Sequence, residues 1–375
     1  MASLLPHVDP DGRLEYSVVF TDRALNHMSQ RFQAVMTGLS ARLKAVYHAD
    51  AVAIIPGGGS YAMEAVARQL RGPGRALIIR NGWFSFRWTQ IFDAIGSVDT
   101  EVMCARAIGT GPKAPFAPAP IDQIVTQIRK TRPTAVFAAH VETAAGVILP
   151  DAWLRQIAEA CREVGAIFVL DCIASGALWV DMAASGVDVL ISAPQKGWSG
   201  PASAGLVLLN ERALKRLDNA PKSSFVLDVA RWLEIMRAYE TGGHAYHATM
   251  PTDALRIFAE AVEETAQFGF EAATDAQCRL GAEIRAALND AGCRSVAAPG
   301  FEAPSVVVSY LPHQHFAAGS AFAAAGVQIA GGVPLRCGEG PDFQTFRVGL
   351  FGLDKLKDVS ATVSRFRRAL QLAMR

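Results

Sequence analysis

The sequence carries no surplus of charge of either sign. Its 375 residues include 36 Lys and Arg against 35 Asp and Glu, which gives a formal net charge of +1. Proteins that bind nucleic acid by neutralising phosphates normally have a basic surplus, so no nucleic-acid partner is predicted. Hydrophobic residues make up 51% of the chain and charged residues 19%, a composition that excludes a mostly disordered chain and allows a large buried core.

Long hydrophobic runs are also missing. A helix that spans a membrane needs about 20 consecutive apolar residues, whereas the longest apolar stretches here, such as 166–170 and 205–209, have the length of strands. Residues 1–12 lack the basic region and apolar core of a secretory signal. We therefore expect a protein without a membrane segment, located in the cytoplasm.

Cysteine is scarce and scattered. The six cysteines show no CxxC spacing, which fits a reduced compartment rather than a disulfide framework. His313 and His315 flank Gln314, but no cysteine or acidic residue lies nearby at the spacing of zinc ligands. No metal site is predicted.

Short apolar runs alternate with helical patterns through the first two thirds of the chain. The apolar runs predict strands at 51–55, 75–80, 134–140, 166–170, 187–192 and 205–209. Helical spacing predicts helices at 60–70, 84–95, 121–130 and 151–164, the last with Asp151 as its N-cap. Strands that are apolar throughout and separated by helices indicate an α/β fold with a mostly parallel sheet covered on both faces.

The pattern changes near residue 251. A long helical stretch, broken near 268–269, precedes short strands at 305–309, 327–330 and 345–350. A chain of this length commonly forms two domains. We predict an N-terminal arm at 1–30, a large domain at 31–265 and a smaller α+β domain at 266–375.

Lys196 is the sharpest candidate for a functional residue. Ligands of such sheets bind beyond the carboxyl ends of the strands, and Lys196 follows the predicted strand 187–192. A desolvated lysine there can lose its proton and act as a nucleophile toward an aldehyde. Taken alone, a solvent-exposed turn lysine is the commoner interpretation.

Asp171 favours the functional interpretation of Lys196, because it directly follows the apolar strand 166–170. A carboxylate in such a place is costly unless it is paired, and a pyridinium nitrogen would be a suitable partner. A lysine for a Schiff base and an aspartate for a pyridine nitrogen together describe a pyridoxal phosphate (PLP) site. The alternative for Asp171 is the N-cap of the following turn.

The phosphate and the ring of such a cofactor also have candidate partners. Gly58, Gly59 and Ser60 stand at a predicted helix start, where backbone N–H groups and one hydroxyl can bind an anion. Phe84 follows the second strand and can stack on a ring. Their alternatives are a tight turn that needs glycine for geometry and an ordinary core aromatic.

Several segments match one family in order, from about residue 28 to 355. They are Pro56-Gly57-Gly58-Gly59-Ser60, Asn81-Gly82-Trp83-Phe84, His140-Val141-Glu142-Thr143, Asp171-Cys172-Ile173-Ala174-Ser175, Ser192-Ala193-Pro194-Gln195-Lys196, Tyr246-His247-Ala248-Thr249-Met250-Pro251 and Phe346-Arg347-Val348-Gly349-Leu350. With them the chain resembles class V aminotransferases of the fold-type I PLP superfamily, and most of all the alanine/serine:glyoxylate (pyruvate) branch.

The resemblance implies a role for each matching residue. Lys196 would form the Schiff base and move the substrate α-proton, Asp171 would hold the pyridine nitrogen, and Arg347 would bind the substrate carboxylate. The remaining cofactor contacts that it implies are Gly58, Gly59, Ser60 and Gln195 at the phosphate, Phe84 and Thr143 at the ring, and Ile173.

The resemblance also implies a homodimer and a reaction. Tyr246 and Thr249 would reach the cofactor phosphate of the neighbouring subunit. The enzyme would move an amino group from a small amino acid, such as alanine or serine, to glyoxylate or pyruvate by a ping-pong mechanism. The stretch 16–23 departs from the Gly-Pro-Gly-Pro-like sequence usual there, so the amino donor stays open.

Two alternatives remain open on the sequence. A cysteine desulfurase of the same superfamily would use a loop cysteine, for which Cys337 is the candidate. A nicotinamide-dependent oxidoreductase would use the Gly-rich turn at 57–62, although Arg80 and Asn81 stand where an acidic residue is expected. Arg336 is either a reader of a second acidic group or a surface arginine.

Overall fold

The computed structural model describes residues 8–10, 12–70, 74–96, 99–217, 220, 224–313, 316 and 319–375. Its helices are α1 (Gln30–Tyr47), α2 (Gly59–Leu70), α3 (Trp83–Ile95), α4 (Ile121–Thr131), α5 (Asp151–Val164), α6 (Met182–Ser185), α7 (Glu211–Leu217), α8 (Val229–Glu240), α9 (Thr252–Phe268), α10 (Phe270–Asp290), α11 (Ser320–Ala324), α12 (Leu353–Leu356) and α13 (Val359–Ala373).

Its strands form one large sheet and three small ones. They are β1 (Ala51–Pro56), β2 (Arg75–Arg80), β3 (Asp99–Cys104), β4 (Arg106–Ala107), β5 (Phe116–Ala117), β6 (Ala135–Ala139), β7 (Val141–Glu142), β8 (Val147–Ile148), β9 (Ile167–Asp171), β10 (Val189–Ser192), β11 (Ala204–Leu209), β12 (Val306–Tyr310), β13 (Ala330–Gly331) and β14 (Thr345–Gly349).

The large sheet has seven strands in the order β1-β11-β10-β9-β6-β2-β3. Four of its six strand pairs are parallel, and β11 runs antiparallel to both β10 and β1. The mostly parallel sheet predicted from the sequence is therefore confirmed. The direction of β11 differs because no helix crosses over between β10 and β11, so the chain turns back beside β10.

The smaller sheet lies in the last third of the chain, in the order β12-β14-β13 with both pairs antiparallel. Helix α10 packs on β12 and on α13. Leu280, Ile284, Phe346 and Phe366 belong to its buried cluster. The predicted domain boundary near 265 falls inside α9, and it stays a prediction, as do the limits 1–30, 31–265 and 266–375.

Other local predictions were wrong. The N-cap of α5 is Pro150 rather than Asp151, which is the first helical residue and places its carboxylate in the first turn. The strand expected at 327–330 is limited to Ala330–Gly331. The edge strand β3 was missed because its sequence lacks a continuous apolar run. In the structure its first residue is exposed and the others are half-buried.

Two further points concern membranes and metals. In the part of the chain that the structure describes, every helix is too short or too polar to cross a lipid bilayer. Among the same residues, no group of three or more His, Cys, Asp or Glu side chains is arranged to bind a metal ion. Gln314 and His315, which the sequence analysis considered, lie outside the described residues.

Candidate active site

Three strands of the large sheet end side by side at one edge. Parallel pairing sets Asp171, the last residue of β9, opposite Ile191 of β10 and Ala139 of β6. The backbone N–H of His140 donates to the carbonyl oxygen of Asp171 at 2.9 Å, which ties the end of β6 to that of β9. Lys196 follows β10 in the next turn. The fold therefore gathers Asp171 and Lys196 at the carboxyl edge, as predicted.

The Lys196 amine has no hydrogen-bond partner within the described part of the chain. Its Nζ lies 5.0 Å from the centre of the Phe351 ring. Burial lowers the pKa of Lys196, the positive charge of Arg347 lowers it further, and the negative charge of Asp171 opposes both effects. A larger share of this amine is therefore uncharged near neutral pH than for a lysine in water.

Asp171 is buried and has one oxygen engaged. Its Oδ1 accepts a hydrogen bond from the backbone N–H of Ile173 at 2.9 Å, so the turn-capping interpretation of this residue is also correct. Within the described residues Oδ2 accepts no hydrogen bond from the protein. Burial raises the pKa of Asp171 to about 6, and the charge of Glu142 adds to that rise. A cationic partner at Oδ2 would relieve the cost of this buried charge.

Phe84 stands in the first turn of α3, and Glu142 holds that turn in place. The fully buried Glu142 carboxylate accepts hydrogen bonds from the backbone N–H groups of Phe84 at 3.2 Å, Ser85 at 2.9 Å and Ala144 at 3.0 Å. The Ser85 hydroxyl donates to it at 2.7 Å. A carboxylate at a helix N-terminus satisfies otherwise unpaired N–H groups. The Phe84 ring is thereby fixed relative to β7.

The start of α2 leaves open space where an anion could sit. Gly57 has φ of +120°, a conformation that favours glycine. A Cβ added to Gly58 would meet no atom of the described protein within 4 Å, whereas one added to Gly59 would overlap the Ile173 side chain. Gly59 therefore allows close packing against the loop after Asp171, and Gly58 faces unfilled room beside Ser60.

Arg347 enters the site from β14 of the smaller sheet. Its Nε donates to the carbonyl oxygen of Gly331 at 2.8 Å, and its two Nη groups have no hydrogen-bond partner among the described residues. Its Cζ lies 5.6 Å from the centre of the Phe84 ring. Burial lowers the pKa of Arg347, with the charge of Glu142 acting against that effect. The free Nη pair can bind a carboxylate or phosphonate through two parallel hydrogen bonds.

The remaining predicted residues are less closely joined. Thr143 is buried in the turn after β7, and Gln195 is exposed just before Lys196. The hydroxyls of Tyr246 and Thr249 are hydrogen-bonded to each other at 3.0 Å on an exposed surface. No contact in the described part of the chain joins that pair to Lys196. The structure therefore assembles most of the predicted set but leaves Tyr246 and Thr249 apart from it.

Cys337 and Arg336 lie beside the site rather than at Lys196. The Cys337 thiol donates to the carbonyl oxygen of Arg80 at 3.4 Å, and it lies beside the Cys104 thiol. The Arg336 Cζ lies 5.4 Å from the centre of the Trp83 ring. Arg336 is exposed, as its simpler interpretation predicted.

The residues present fit PLP. An unpaired, partly desolvated amine suits the aldehyde of the cofactor, and the free Asp171 oxygen suits a pyridinium N–H. The Phe84 ring offers a stacking surface, and the open start of α2 at Gly58 offers backbone N–H groups to a phosphate. Lys196 would hold the aldehyde carbon covalently, and Asp171 would hold the ring nitrogen.

Sequence reasoning did not assign roles to two charged residues of this site. Arg87 of α3 donates to the Ser60 hydroxyl at 2.9 Å, and Glu142 makes the four hydrogen bonds described above. Glu142 had a detectable signal, because it interrupts the apolar residues around His140 and Val141. Arg87 had none, because a single arginine in a helix usually lies on a solvated face.

Comparison of the sequence with protein families and curated proteins gives a consistent result. The family described as "Aminotransferase class-V" matches residues 14–333. The 2-aminoethylphosphonate–pyruvate transaminase of Burkholderia thailandensis is 32% identical over 338 residues, covering 87% of this chain and 86% of that protein. The protein of the same name from Paraburkholderia phymatum is 28% identical over 352 residues, covering 92% of this chain and 89% of that protein.

Solved structures share the fold. An alanine–glyoxylate aminotransferase from Nostoc sp. superimposes with a TM-score of 0.79 at 22% identity, covering 93% of this chain and 89% of that one. A subgroup IV aspartate aminotransferase from Thermus thermophilus gives 0.74 at 25% identity, covering 92% of each chain. The predicted fold-type I architecture is thus confirmed. The chain belongs to the class V aminotransferase family and is a PLP-dependent aminotransferase.

Proposed function

We propose that this enzyme transfers an amino group from a small donor with one acidic group, such as alanine or serine, to pyruvate or glyoxylate. The observation that carries the proposal is Arg347, whose Cζ lies 5.6 Å from the centre of the Phe84 ring and whose Nη groups, like the Lys196 amine, have no hydrogen-bond partner among the described residues. One guanidinium at this place suits one acidic group on each substrate. Pyruvate as acceptor is supported by the names of the two transaminase relatives.

Asp171 and Lys196 have separate roles toward the cofactor and the donor. Bound PLP supplies an aldehyde that takes up amines and an electron-withdrawing ring that accepts the charge left when the donor carbon loses its proton. Asp171 would hold the ring nitrogen by accepting a hydrogen bond from it. Lys196 would take the proton from the donor carbon as a general base, a task that needs its uncharged form.

Binding and orientation fall to the other residues. Arg347 binds the acidic group and so orients the donor carbon toward Lys196. Phe84 and Thr143 would contact the ring of the cofactor, Ile173 would also contact the cofactor, and the phosphate would be bound by Gly58, Gly59, Ser60 and Gln195. Because acceptor and donor use the same site in turn, ping-pong kinetics are expected.

The first experiment is an absorption spectrum of the purified holoenzyme. A visible band that bleaches with alanine or serine, and returns with pyruvate or glyoxylate, identifies the two half-reactions. Lys196→Ala should hold PLP without turning over any donor. Arg347→Gln should raise the donor concentration needed for half-bleaching at least about tenfold. A holoenzyme that no small α-amino acid bleaches would contradict the proposed donor.

A second donor is favoured by one observation. The 32% identical relative is a 2-aminoethylphosphonate–pyruvate transaminase, and a guanidinium binds phosphonate as well as carboxylate. We include 2-aminoethylphosphonate in the same spectral titration. Bleaching by this compound alone would assign Arg347 to a phosphonate and replace the α-amino acid as donor.

A homodimer is part of the proposal. Tyr246 and Thr249 are exposed and hydrogen-bonded to each other, and Tyr246 has 51% of its surface exposed. Their suggested role at the neighbour's phosphate would explain why they lie apart from Lys196 in their own chain. The cytoplasmic location stays a prediction from the sequence.

Mixing of two inactive variants tests this arrangement. If Tyr246 and Thr249 serve the neighbouring site, a mixed dimer of Lys196→Ala and Tyr246→Phe/Thr249→Ala chains contains one site without either defect. Activity should reappear after the two proteins are unfolded and refolded together. Each variant refolded alone is the control. No recovery in a mixture that is dimeric by light scattering would contradict the shared site.

A further inference from the structure

Arg87 connects the start of α2 with the first turn of α3. Its Nη1 donates to the Ser60 hydroxyl at 2.9 Å. Its Cζ lies 5.4 Å from the centre of the Phe84 ring, which stands three residues earlier on the same helix. Arg87 is half-buried. A guanidinium is therefore placed beside a proposed phosphate ligand and beside the proposed stacking ring.

The charge of Arg87 is not matched by a carboxylate. Within the described part of the chain it forms no ion pair, and its hydrogen-bond partner, the Ser60 hydroxyl, is neutral. Its field reaches the centre of the site, where it acts on both Lys196 and Asp171. A half-buried guanidinium that faces a neutral hydroxyl is suited to an anionic ligand that both groups can contact.

Arg87 and Arg347 both flank the Phe84 ring, and the site must accept two kinds of anion. Arg347 lies on β14 and Arg87 on α3, each within 6 Å of the Phe84 ring centre. The anions are the cofactor phosphate and the acidic group of the substrate. Of these two arginines, Arg87 contacts Ser60, at the N-terminus of α2 beside the open space at Gly58. This contact favours different arginines for the two anions.

We propose that Arg87 binds the phosphate of PLP, together with Ser60 and the first N–H groups of α2. The inference rests on the proposed phosphate-binding role of Ser60. In the holoenzyme the Arg87 guanidinium would donate to a phosphate oxygen while keeping its place beside Phe84. Two of its N–H groups can bind one phosphate, as guanidinium groups commonly do.

The test compares two ligands that differ only in the phosphate. Dissociation constants for PLP and for pyridoxal are measured by titration of the apoprotein, followed through its tryptophan fluorescence. Arg87→Gln should weaken PLP binding at least about tenfold, equivalent to about 1.4 kcal/mol, and leave pyridoxal binding unchanged. Arg87→Lys should recover part of the loss because it keeps the charge.

Two controls and two contrary results complete the design. Arg129→Gln removes an exposed arginine that is paired with Glu163, and it should change neither constant. Circular dichroism of the apoproteins checks that the variants fold. An equal loss of affinity for PLP and pyridoxal would show that Arg87 positions Phe84 and does not bind the phosphate. Unchanged PLP binding with a raised KM for the donor would assign it to the substrate.

Failure of the proposed function gives a different pattern. If the donor assignment is wrong, alanine and serine will not bleach the wild-type holoenzyme, yet the PLP and pyridoxal titrations of wild type and Arg87→Gln can still be completed. The cofactor titration therefore tests the phosphate-binding role of Arg87 independently of the identity of the donor.

Discussion

Gly197 packs so closely on Gly176 that a Cβ added to Gly197 would overlap the Gly176 carbonyl oxygen. Gly197 directly follows Lys196, and Gly176 lies in the loop that follows Asp171. This backbone contact holds the loop of the lysine against the loop of the aspartate. It fixes the distance between the two groups that carry the proposed chemistry.

Gly197→Ala should therefore separate these two loops. Because the obstacle is backbone rather than a flexible side chain, the lysine must move. We expect at least about a hundredfold loss of kcat, since small misplacements near a reacting group have effects of that size. Steady-state kinetics measure the loss. Gly38→Ala, whose new Cβ meets no atom within 4 Å in α1, is the matched control and should keep full activity.

Asp171→Asn should stabilise the apoprotein at alkaline pH. The folded-state pKa of Asp171 is raised from 3.8 to about 6, so the folded state binds more protons than the unfolded state between these values. Stability then falls as pH rises through this window, and the deficit of about 3 kcal/mol persists above it. The asparagine avoids this cost and can still accept the Ile173 N–H.

Urea denaturation of the two apoproteins at several pH values measures the effect. The variant should exceed wild type by up to about 3 kcal/mol at pH 8, and the difference should shrink as the pH approaches 4. Saturation with PLP should favour wild type, because the cofactor ring then supplies the cation that Asp171 lacks. If the difference in unfolding free energy does not change with pH, packing rather than charge distinguishes the two proteins.

Glu142→Gln should destabilise the first turn of α3. The carboxylate accepts from three backbone N–H groups and one hydroxyl, and the amide group of glutamine can accept with only one of its two ends. Buried donors left unpaired cost about 1–3 kcal/mol. A lower urea midpoint is expected, together with weaker binding of pyridoxal, which reports the placement of Phe84. Glu234→Gln on the exposed face of α8 should leave both unchanged.

The Cys104 thiol should react at unusually low pH. The neighbouring Cys337 thiol lowers the pKa of Cys104, and the charge of Arg80 contributes to this shift against the effect of burial. Its alkylation by iodoacetamide, followed by mass spectrometry of peptides, should have a midpoint below that of an ordinary thiol, which is about 8.5. Cys337→Ala should move that midpoint upward.

Cys278 provides the internal comparison for this experiment. The residue as a whole is exposed. Partial burial of its thiol, together with the charge of Asp275, raises the pKa of Cys278. Its alkylation should rise only at alkaline pH in both proteins. A Cys104 profile that coincides with that of Cys278 would exclude the thiol pair as the cause of the shift.

The parts of the fold that could be predicted are those with a one-dimensional signal. Residues 75–80 and 151–164 coincide with β2 and α5 because apolar periodicity and a Gly165 end are local properties. Strand direction has no such signal. The residues of β11 are as apolar as those of β9, yet β11 runs the opposite way because of how the chain connects to it.

The same distinction applies to the site. Lys196 and Asp171 could be found because polar residues after buried strands are conspicuous, and the fold brings strand ends together. The contact between Arg87 and Ser60 joins two helices whose relative placement depends on packing of the whole sheet. No spacing along the chain indicates this contact, so it can be found only from the three-dimensional structure.

Arg87 and Arg347 place two guanidinium groups beside one aromatic ring, with their Cζ atoms 5.4 Å and 5.6 Å from the centre of the Phe84 ring. The charges of both arginines act on the Lys196 amine, and charges are screened only over about 10 Å at 0.1 M salt, so the two fields add inside the site. An approaching dianion is drawn in before it makes any contact. Encounter between apoprotein and cofactor is thus a step governed by ionic strength, fastest in dilute buffer, while the hydrogen bonds formed afterwards set how long the cofactor stays.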